Sequence, residues 1–458
     1  MSPVSAKWVD VAAVGFGPAN IALAIALEEM GFAGTVQFIE KAAAPSWQPE
    51  MMVAGADIQH NPLRDFVTPR NPASPYGFLS YLQAANRLWD YLNLSAHYPP
   101  RSEYAEYIKW VARQFDGKAV YGHAVCDLAL AQASGLPGAL LTMDDGRKLA
   151  ARAISIGCGR SLYIPALFAP LAGPRVVHTQ FYLSTLARWR KTPGFKRIAV
   201  VGASQSAAEV TLDLLARHDD FEVFNLTTGV GYRQKDLSPF TEQIYYPEYV
   251  DHFFRTSDHE KKKLMAELRN SNYSAADADV IEKLNLFLYE QKFNGRERLH
   301  VLSNTTIGGA EASAEGGITL DLMHRFRPER WQLTVDGVLL ATGFRNLGGG
   351  EREEKHPPLL NSIADAFKRR ADGSLYVTRD YRLMPRHDGI ALPPIYLNGL
   401  CESTHGFGDA GSFSLLALRS STIARSVSEA ISLPRIDDVA AFQHVHQAER
   451  VSDVRRAR

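Results

Sequence analysis

Two short stretches constrain this chain more than anything else in it. Trp8-Val9-Asp10-Val11-Ala12-Ala13-Val14 is an apolar run of strand length. It breaks into Gly15-Phe16-Gly17-Pro18-Ala19-Asn20 and then into Ile21-Ala22-Leu23-Ala24-Ile25-Ala26-Leu27, a run rich in helix formers. A second strand-like run, Thr35-Val36-Gln37-Phe38-Ile39, follows and ends on Glu40. Strand, glycine turn, helix and strand make a βαβ unit. The pattern recurs from Arg197-Ile198-Ala199-Val200-Val201 through Gly202-Ala203-Ser204-Gln205-Ser206-Ala207 into a helix running to Leu215. With 458 residues the chain has room for two or three domains at roughly 150 residues each. The expected fold class is therefore α/β, with two Rossmann-like, dinucleotide-binding domains.

Each turn carries chemistry. A helix N-terminus offers a phosphate unpaired N–H groups and the positive end of the helix dipole. Gly15 permits the tight turn, Gly17 lets the backbone approach a pyrophosphate, and Pro18 opens the helix; Asn20 stands where Gly or Ala is usual. Glu40 lies about twenty residues further on, where an acid accepts from ribose hydroxyls and repels a 2′-phosphate. The first half thus suits FAD or NAD. In the second turn Ser204 replaces the middle glycine, and no acid ends the run Glu222-Val223-Phe224-Asn225-Leu226-Thr227. Arg233 and Lys235 follow, which favours the extra phosphate of NADPH; the alternative is that they are solvated loop charges. A flavin in the first unit and a nicotinamide in the second imply hydride transfer between them. Two further apolar runs end in glycine turns, Ala153 to Gly159 (containing Gly157) and Val338 to Phe344 (containing Gly343).

Composition removes competing classes. Fifty Lys+Arg balance fifty Asp+Glu, so no whole-chain basic footprint points to nucleic acid. The three cysteines, Cys126, Cys158 and Cys401, include no CxxC pair, which argues against a dithiol redox centre, a structural zinc site and a disulfide framework. No metal is expected. No apolar run is long enough to span a membrane, and the start of the chain lacks a signal-peptide pattern; the expected compartment is the cytoplasm.

Several separated motifs together resemble the flavin-dependent N-hydroxylating monooxygenases that act on ornithine N5 and lysine N6. They are the Gly15–Asn20 loop, Ile58-Gln59, Leu63-Arg64-Asp65-Phe66-Val67-Thr68, Asn71-Pro72-Ala73-Ser74-Pro75-Tyr76, Arg101-Ser102-Glu103-Tyr104, Gly202 to Glu209, Asn272-Tyr273-Ser274, Ala341-Thr342-Gly343-Phe344, and Thr404-His405-Gly406-Phe407-Gly408-Asp409 with the following Ser414-Leu415-Leu416. The likeness runs from about residue 8 to 430. It implies FAD and NADPH as cofactors, a small primary amine and O2 as substrates, a C4a-hydroperoxyflavin as the oxygen donor, and a hydroxylamine product of the kind used in siderophores and other secondary metabolites. It implies an FAD domain over 8–190 and 337–435, an NADPH domain over 191–336 with a helical substrate-side segment about 238–290, and a C-terminal tail over 436–458. A homo-oligomer, a tetramer, is the family expectation.

The resemblance also assigns residues. Gly15, Gly17, Pro18, Asn20, Glu40, Trp47, Gln59, Gly157, Gly343, His405, Asp409 and Ser414 fall to the flavin side and junction, and Gly202, Ser204, Gln205, Ser206 and Arg233 to NADPH. Gln59, Arg64, Asn272 and Ser414 fall to catalysis. Ser412 is the alternative to Ser414, and His405 is either flavin-side or a structural bridge between backbone groups. Arg64 matches the family lysine that grips a substrate carboxylate, the alternative being an ion pair with Asp65 or a neighbouring acid. After Ser238-Pro239-Phe240 the family has Val-Asn-Glu and this chain Thr241-Glu242-Gln243; the asparagine is assigned to Thr241, which joins Arg64 and Asn272 as substrate-binding. His60-Asn61-Pro62, Gln48 and Glu50 also depart from the pattern. These departures leave the amine open, an acidic amino acid included. The rivals are a Baeyer–Villiger or flavin-containing monooxygenase, whose linker histidine would be His178, and a flavin-binding protein without turnover.

Overall fold

The structure, a computed structural model, describes residues 7–96, 98–133, 136–217, 220–271, 273–314, 316–431 and 443–444. The first βαβ unit forms where its residues dictate. Strand Lys7–Val14 leads to helix Pro18–Glu29 and strand Val36–Glu40. The two strands pair in parallel, Val11 opposite Val36 and Val14 opposite Ile39. Pro18 sits in the first turn of its helix, where a missing N–H costs nothing because that group has no intrahelical partner. Asn20 to Leu27 are all buried. A helix apolar around its whole circumference must be covered on every side, and helix Leu416–Ile431 packs along it and onto the same sheet.

The first sheet has eight strands. Its parallel part runs Ala119–Tyr121, Val36–Glu40, Lys7–Val14, Lys148–Ile156 and Ile395–Leu397. Val125–Ala133 and Leu136–Met143 extend it antiparallel from Lys148–Ile156. The last third of the chain thus returns to the first sheet. Of the segment 436–458 only Gln443–His444 lies within the described residues, and it pairs with the outer edge at Ala131 and Gln132.

The second sheet is parallel throughout, in the order Leu299–Leu302, Glu222–Leu226, Arg197–Val201, Gly337–Leu340 and Val176–His178. This corrects both expected domain boundaries. Val176–His178 and Gly337–Leu340 were placed with the first domain, yet both are strands of the second sheet. Helix Tyr182–Trp189 goes with them, since Tyr182, Leu186 and Trp189 fill the core beside Ile198, Val200 and Leu339. The physical reason is burial: Ile198, Ala199 and Val200 are fully buried, so Arg197–Val201 must be a central strand with a partner on each side. A three-stranded antiparallel sheet, Thr305–Ala312, Ile318–His324 and Arg330–Val335, closes over this domain through Leu320, Leu322 and Val335.

The helical segment comprises Thr241–Tyr245, Pro247–Arg255, Asp258–Glu267, Leu268–Ser271 and Ala278–Asn294. Ile244 and Tyr245 share a small core with Phe407, so the start of this segment leans on the C-terminal loop of the first domain. Among the described residues no helix is long and apolar enough to cross a membrane.

Candidate functional site

A cavity of about 350 Å³ lies at the carboxyl edge of the first sheet. It runs from Ile39 and Glu40 past Gly15, Gly17 and Gly157 to Asp409, Ser412 and Phe413. Gly15 has φ +83°, and a Cβ there would stand 2.7 Å from the Gly157 carbonyl oxygen. At Gly17 a Cβ would meet nothing within 4 Å among the described residues. The backbone thus leaves a cradle open at the helix N-terminus, which is what a pyrophosphate requires. Glu40 is held in the wall: the Phe16 N–H donates to its Oε2 at 2.7 Å and the Ala42 N–H to its Oε1 at 2.8 Å. Each oxygen keeps a lone pair for a ribose hydroxyl. Trp47 stands in the same wall, edge-on to Phe413 at 5.8 Å. At the far end the Arg419 Nη1 donates to the Asp409 Oδ1 at 3.0 Å, and the Cys401 N–H donates to the Asp409 Oδ2 at 2.5 Å.

Two residues assigned to this cofactor are turned away from it. Asn20 is fully buried. Its Nδ2 donates to the Val14 and Gly15 carbonyls at 3.0 and 2.7 Å, and its Oδ1 accepts from the Ser155 hydroxyl at 2.7 Å and the Asn398 amide at 3.1 Å. It ties the glycine turn to two neighbouring strand ends and has no face on the cavity. His405 is buried against Tyr381, ring centres 4.0 Å apart. It bridges the Thr404 hydroxyl at 2.8 Å and the Arg379 carbonyl at 3.2 Å. Burial, and secondarily the charge of Arg379, pulls its pKa down to about 3. The structural alternative holds for His405.

A second cavity, about 170 Å³, opens between the domains. Ser204, Gln205 and Ser206 line it from the second glycine turn, and Gln59 and Arg101 from the first domain. Gln48 lines both cavities and marks their junction. Gly202 sits just behind the wall; with φ +133° its Cβ would lie 2.6 Å from the Ala341 carbonyl oxygen. The domains are locked by a buried, bidentate pair, the Arg101 Nη1 and Nη2 donating to the Glu209 Oε2 and Oε1 at 2.9 and 2.6 Å. The Gln205 Nε2 also donates to Glu209, at 3.0 Å, while its Oε1 accepts the Asp277 N–H at 2.8 Å. Gly343 lines this cavity, and its carbonyl accepts from the Tyr163 N–H at 2.9 Å. His178 Nε2 bonds that carbonyl at 3.0 Å while its Nδ1 accepts the Gln180 N–H at 3.1 Å, so His178 is a backbone bridge. The two expected phosphate cations part company. Arg233 is exposed, whereas the Lys235 Nζ donates to the Gln59 carbonyl at 3.3 Å. Gln59 itself has φ +59°, and its Nε2 donates to the Asp277 Oδ2 at 2.5 Å.

Beside the first cavity the Arg64 Nη1 meets the Glu242 Oε2 at 3.1 Å and the Ser414 Oγ at 3.3 Å, with the guanidinium 5.6 Å from the Tyr245 ring centre. The neighbouring-acid alternative for Arg64 is met by Glu242. Asp65 is occupied with its own loop, accepting from the Val67, Thr68 and Phe78 N–H groups. The two serines divide: Ser412 lines the cofactor cavity, its Oγ accepting the Ser414 N–H at 3.1 Å, and Ser414 faces Arg64. Thr241 does not join them, since its hydroxyl donates to the Asp236 Oδ2 at 2.8 Å on the exposed side. In the 3₁₀ turn Thr241–Tyr245 successive side chains point about 120° apart, so Thr241 and Glu242 cannot share a face. Counted one by one, the asparagine of Val-Asn-Glu falls on Glu242, which the sequence reading passed over. Asn272 lies outside the described residues; the adjacent Tyr273 hydroxyl bonds Glu402 and, at 3.0 Å, the Ala410 carbonyl.

His60, one of the departures from the family pattern, packs behind the cavity wall at Phe413. It stacks on Phe413 with ring centres 5.4 Å apart and planes 9° from parallel, and meets Tyr104 edge-on. Its Nδ1 bonds the Ile58 carbonyl at 2.7 Å, and its Nε2 is buried with no partner among the described residues. Burial first, then the charges of Lys235 and Arg64, lowers its pKa to about 4.

Two βαβ folds, each with a glycine turn, whose cavities meet at one residue define a dinucleotide-linked oxidoreductase. Residues 7–346 match the family model of L-lysine 6-monooxygenase/L-ornithine 5-monooxygenase, and the chain belongs to this family of flavin-dependent N-hydroxylating monooxygenases. An L-ornithine N(5)-monooxygenase from Burkholderia cepacia is 34% identical over 432 residues, covering 91% of this chain and 94% of the relative. The ornithine N-hydroxylase of Kutzneria sp. 744, solved with reduced FAD, NADP+ and L-ornithine, superposes with a TM-score of 0.84 at 31% identity, covering 92% of this chain and 99% of that one. The L-lysine 6-monooxygenase of Pseudomonas syringae gives a TM-score of 0.80 at 32% identity, covering 92% and 99%.

Proposed function

We propose that this chain holds FAD in the first cavity and NADPH in the second, and hydroxylates the terminal amine of an ornithine- or lysine-like substrate lying beside Arg64. The observation that carries the reading is the junction: the two cavities share Gln48, and the turn Ser412-Phe413-Ser414 faces the flavin cavity on one side and Arg64 on the other. FAD, reduced by NADPH, supplies the activation of O2 from which one oxygen atom passes to the amine nitrogen while the other leaves as water.

The chain's residues bind, orient and dry this chemistry. The N–H groups above Gly17 and the carboxylate of Glu40 hold the pyrophosphate and ribose of FAD. The Ser204–Ser206 turn holds the NADPH pyrophosphate, and Arg233 reaches its 2′-phosphate. Trp47, Tyr104, Phe413 and the neutral ring of His60 form an apolar wall on the substrate side. That wall keeps water from the reacting centre and favours the uncharged amine, whose nitrogen lone pair is the nucleophile. Helix Ala278–Asn294 presents Leu286, Tyr289 and Phe293 at 55%, 65% and 69% exposure on one face, and we assign that face to contact between copies in a homo-oligomer.

The test is product analysis. FAD-loaded protein given NADPH, O2 and L-ornithine or L-lysine is expected to consume both co-substrates and yield a product heavier by one oxygen. Failure to oxidise NADPH, or oxidation that yields only H2O2 with every primary amine, would overturn the reading.

A further inference from the structure

Six residues around the second cavity form a closed ring of hydrogen bonds that crosses the domain boundary twice. The Gln59 Nε2 donates to the Asp277 Oδ2, and the Asp277 N–H to the Gln205 Oε1. The Gln205 Nε2 donates to Glu209, and Arg101 ties Glu209 back to the first domain. The Arg101 Nε then donates to the Asp57 carbonyl at 3.2 Å, and the Asp57 Oδ1 accepts the Gln59 N–H at 3.2 Å. Four of the six, Gln59, Arg101, Gln205 and Glu209, line the cavity. Asp277 is the unexpected member. It stands at the opening of helix Ala278–Asn294, yet its carboxylate caps no N–H of that helix. An aspartate there ordinarily accepts from the first turn; this one, buried, reaches across to Gln59 instead.

That reach fixes the Gln59 side chain. A carboxylate only accepts, so the amide must turn its nitrogen to Asp277 and its Oε1 away. Burial raises the Asp277 pKa, but the Gln59 hydrogen bond and the Lys235 charge pull it back, and both favour the ionised, accepting form. The backbone is held as firmly. Gln59 has φ +59°, a left-handed conformation that a residue with a side chain keeps only when its surroundings impose it. Asp57 and Lys235 grip its N–H and its carbonyl. The Gln59 Oε1 takes no hydrogen bond among the described residues, and Gln59 lines the second cavity, so an acceptor is left ready there. We propose that Asp277 is a positioning residue: it aims the Gln59 side-chain oxygen at the nicotinamide half of the dinucleotide, the half that must reach toward the first domain, where Gln59 stands. The inference rests on the cofactor assignment proposed above. It adds that the nicotinamide end is gripped only when both domains supply their part of the ring.

The experiment compares NADP+ with adenosine 2′,5′-bisphosphate, which keeps the adenosine phosphates and lacks the nicotinamide half. Calorimetric binding of each to the oxidised holoenzyme is measured for the wild type, Asp277→Asn, Gln59→Ala and the double variant. Asparagine keeps the size of Asp277 and still opens a helix well, but it can also donate, so the Gln59 amide becomes free to turn round. Asp277→Asn should weaken NADP+ about fivefold or more, the size of one hydrogen bond, and leave the bisphosphate unchanged. Added to Gln59→Ala it should weaken NADP+ no further, because the residue it acts through is gone. Taking the ratio of the two ligands within one protein cancels partial loss of folding or flavin. A role confined to holding the domains together would weaken both ligands in proportion, or act equally with and without Gln59. Either result overturns the proposal, as does unchanged NADP+ binding in Asp277→Asn. If the wild type itself binds neither ligand, the assignment of NADPH to the second cavity falls, and the positioning role with it.

Discussion

The two glycine turns begin alike and end differently. The first builds its cavity inside one domain: Gly15, Glu40, Gly157 and Asp409 all stand on or beside strands of the same sheet, and buried Asn20 wires the turn to its neighbours. The second turn supplies only half of its cavity. Gln59 and Arg101 complete it from the other domain, and the Arg101–Glu209 pair holds that edge in place. A dinucleotide in the first cavity depends on one fold, whereas one in the second depends on two folds staying in register.

The largest effect that would break this contrast is Arg101→Ala. It leaves the Glu209 carboxylate buried without its partner, which typically costs about 3–5 kcal/mol. The expected result is a lower Tm and a steep rise in the KM for NADPH in protein that still purifies with flavin. An unchanged NADPH requirement would show that the second cavity does not need the interdomain lock. Smaller, and sharper as a comparison, is the pair Gly15→Ala and Gly202→Ala. Each forces a Cβ to within 2.7 or 2.6 Å of a carbonyl oxygen at a positive φ, about 1–3 kcal/mol of strain by order of magnitude. Gly15→Ala should come off the column depleted of flavin. Gly202→Ala should keep flavin and lose its reduction by NADPH. Loss of flavin from both would mean that the two sites are not independent.

The sequence made the local part of this picture readable because the βαβ turns are local. Gly15, Gly17 and Glu40 lie within one supersecondary unit, and their spacing alone places them around one cavity. The parts that misled depend on contacts far along the chain. Asn20 read as a cofactor contact because its fingerprint position is close to the phosphate. It turns inward because Ser155 and Asn398, 135 and 378 residues away, arrive with a hydroxyl and an amide. The domain boundaries moved because strands Val176–His178 and Gly337–Leu340 join the second sheet, a pairing that no local pattern announces. Thr241 was taken for the family asparagine although the count from Phe240 gives Glu242, and the 3₁₀ turn sends the two side chains to different faces. His405 read equally well as a flavin ligand or a structural bridge until its two ring nitrogens were placed.

An effect confined to acid asks whether the walls of the two cavities respond alike. His178 beside the second cavity and His60 beside the first both have pKa values lowered, chiefly by burial. His178 has partners at both nitrogens, while His60 has none at Nε2, so a proton added there would find no acceptor. With the folded value of His60 at about 4 and its ordinary value at 6.5, the unfolded chain takes up the proton first. Its contribution to stability is therefore intact above pH 6.5 and is lost as the pH falls from there toward 4, by at most about 1.4 kcal/mol per pH unit. His60→Phe keeps a ring against Phe413 and removes the titrating group. Chemical denaturation at steps from pH 7 to 4.5 should show a shallower loss of stability in the variant, by close to one proton in the slope. Parallel slopes would mean that His60 is reached by water and titrates normally, and the dry wall assigned to the substrate side would lose its support.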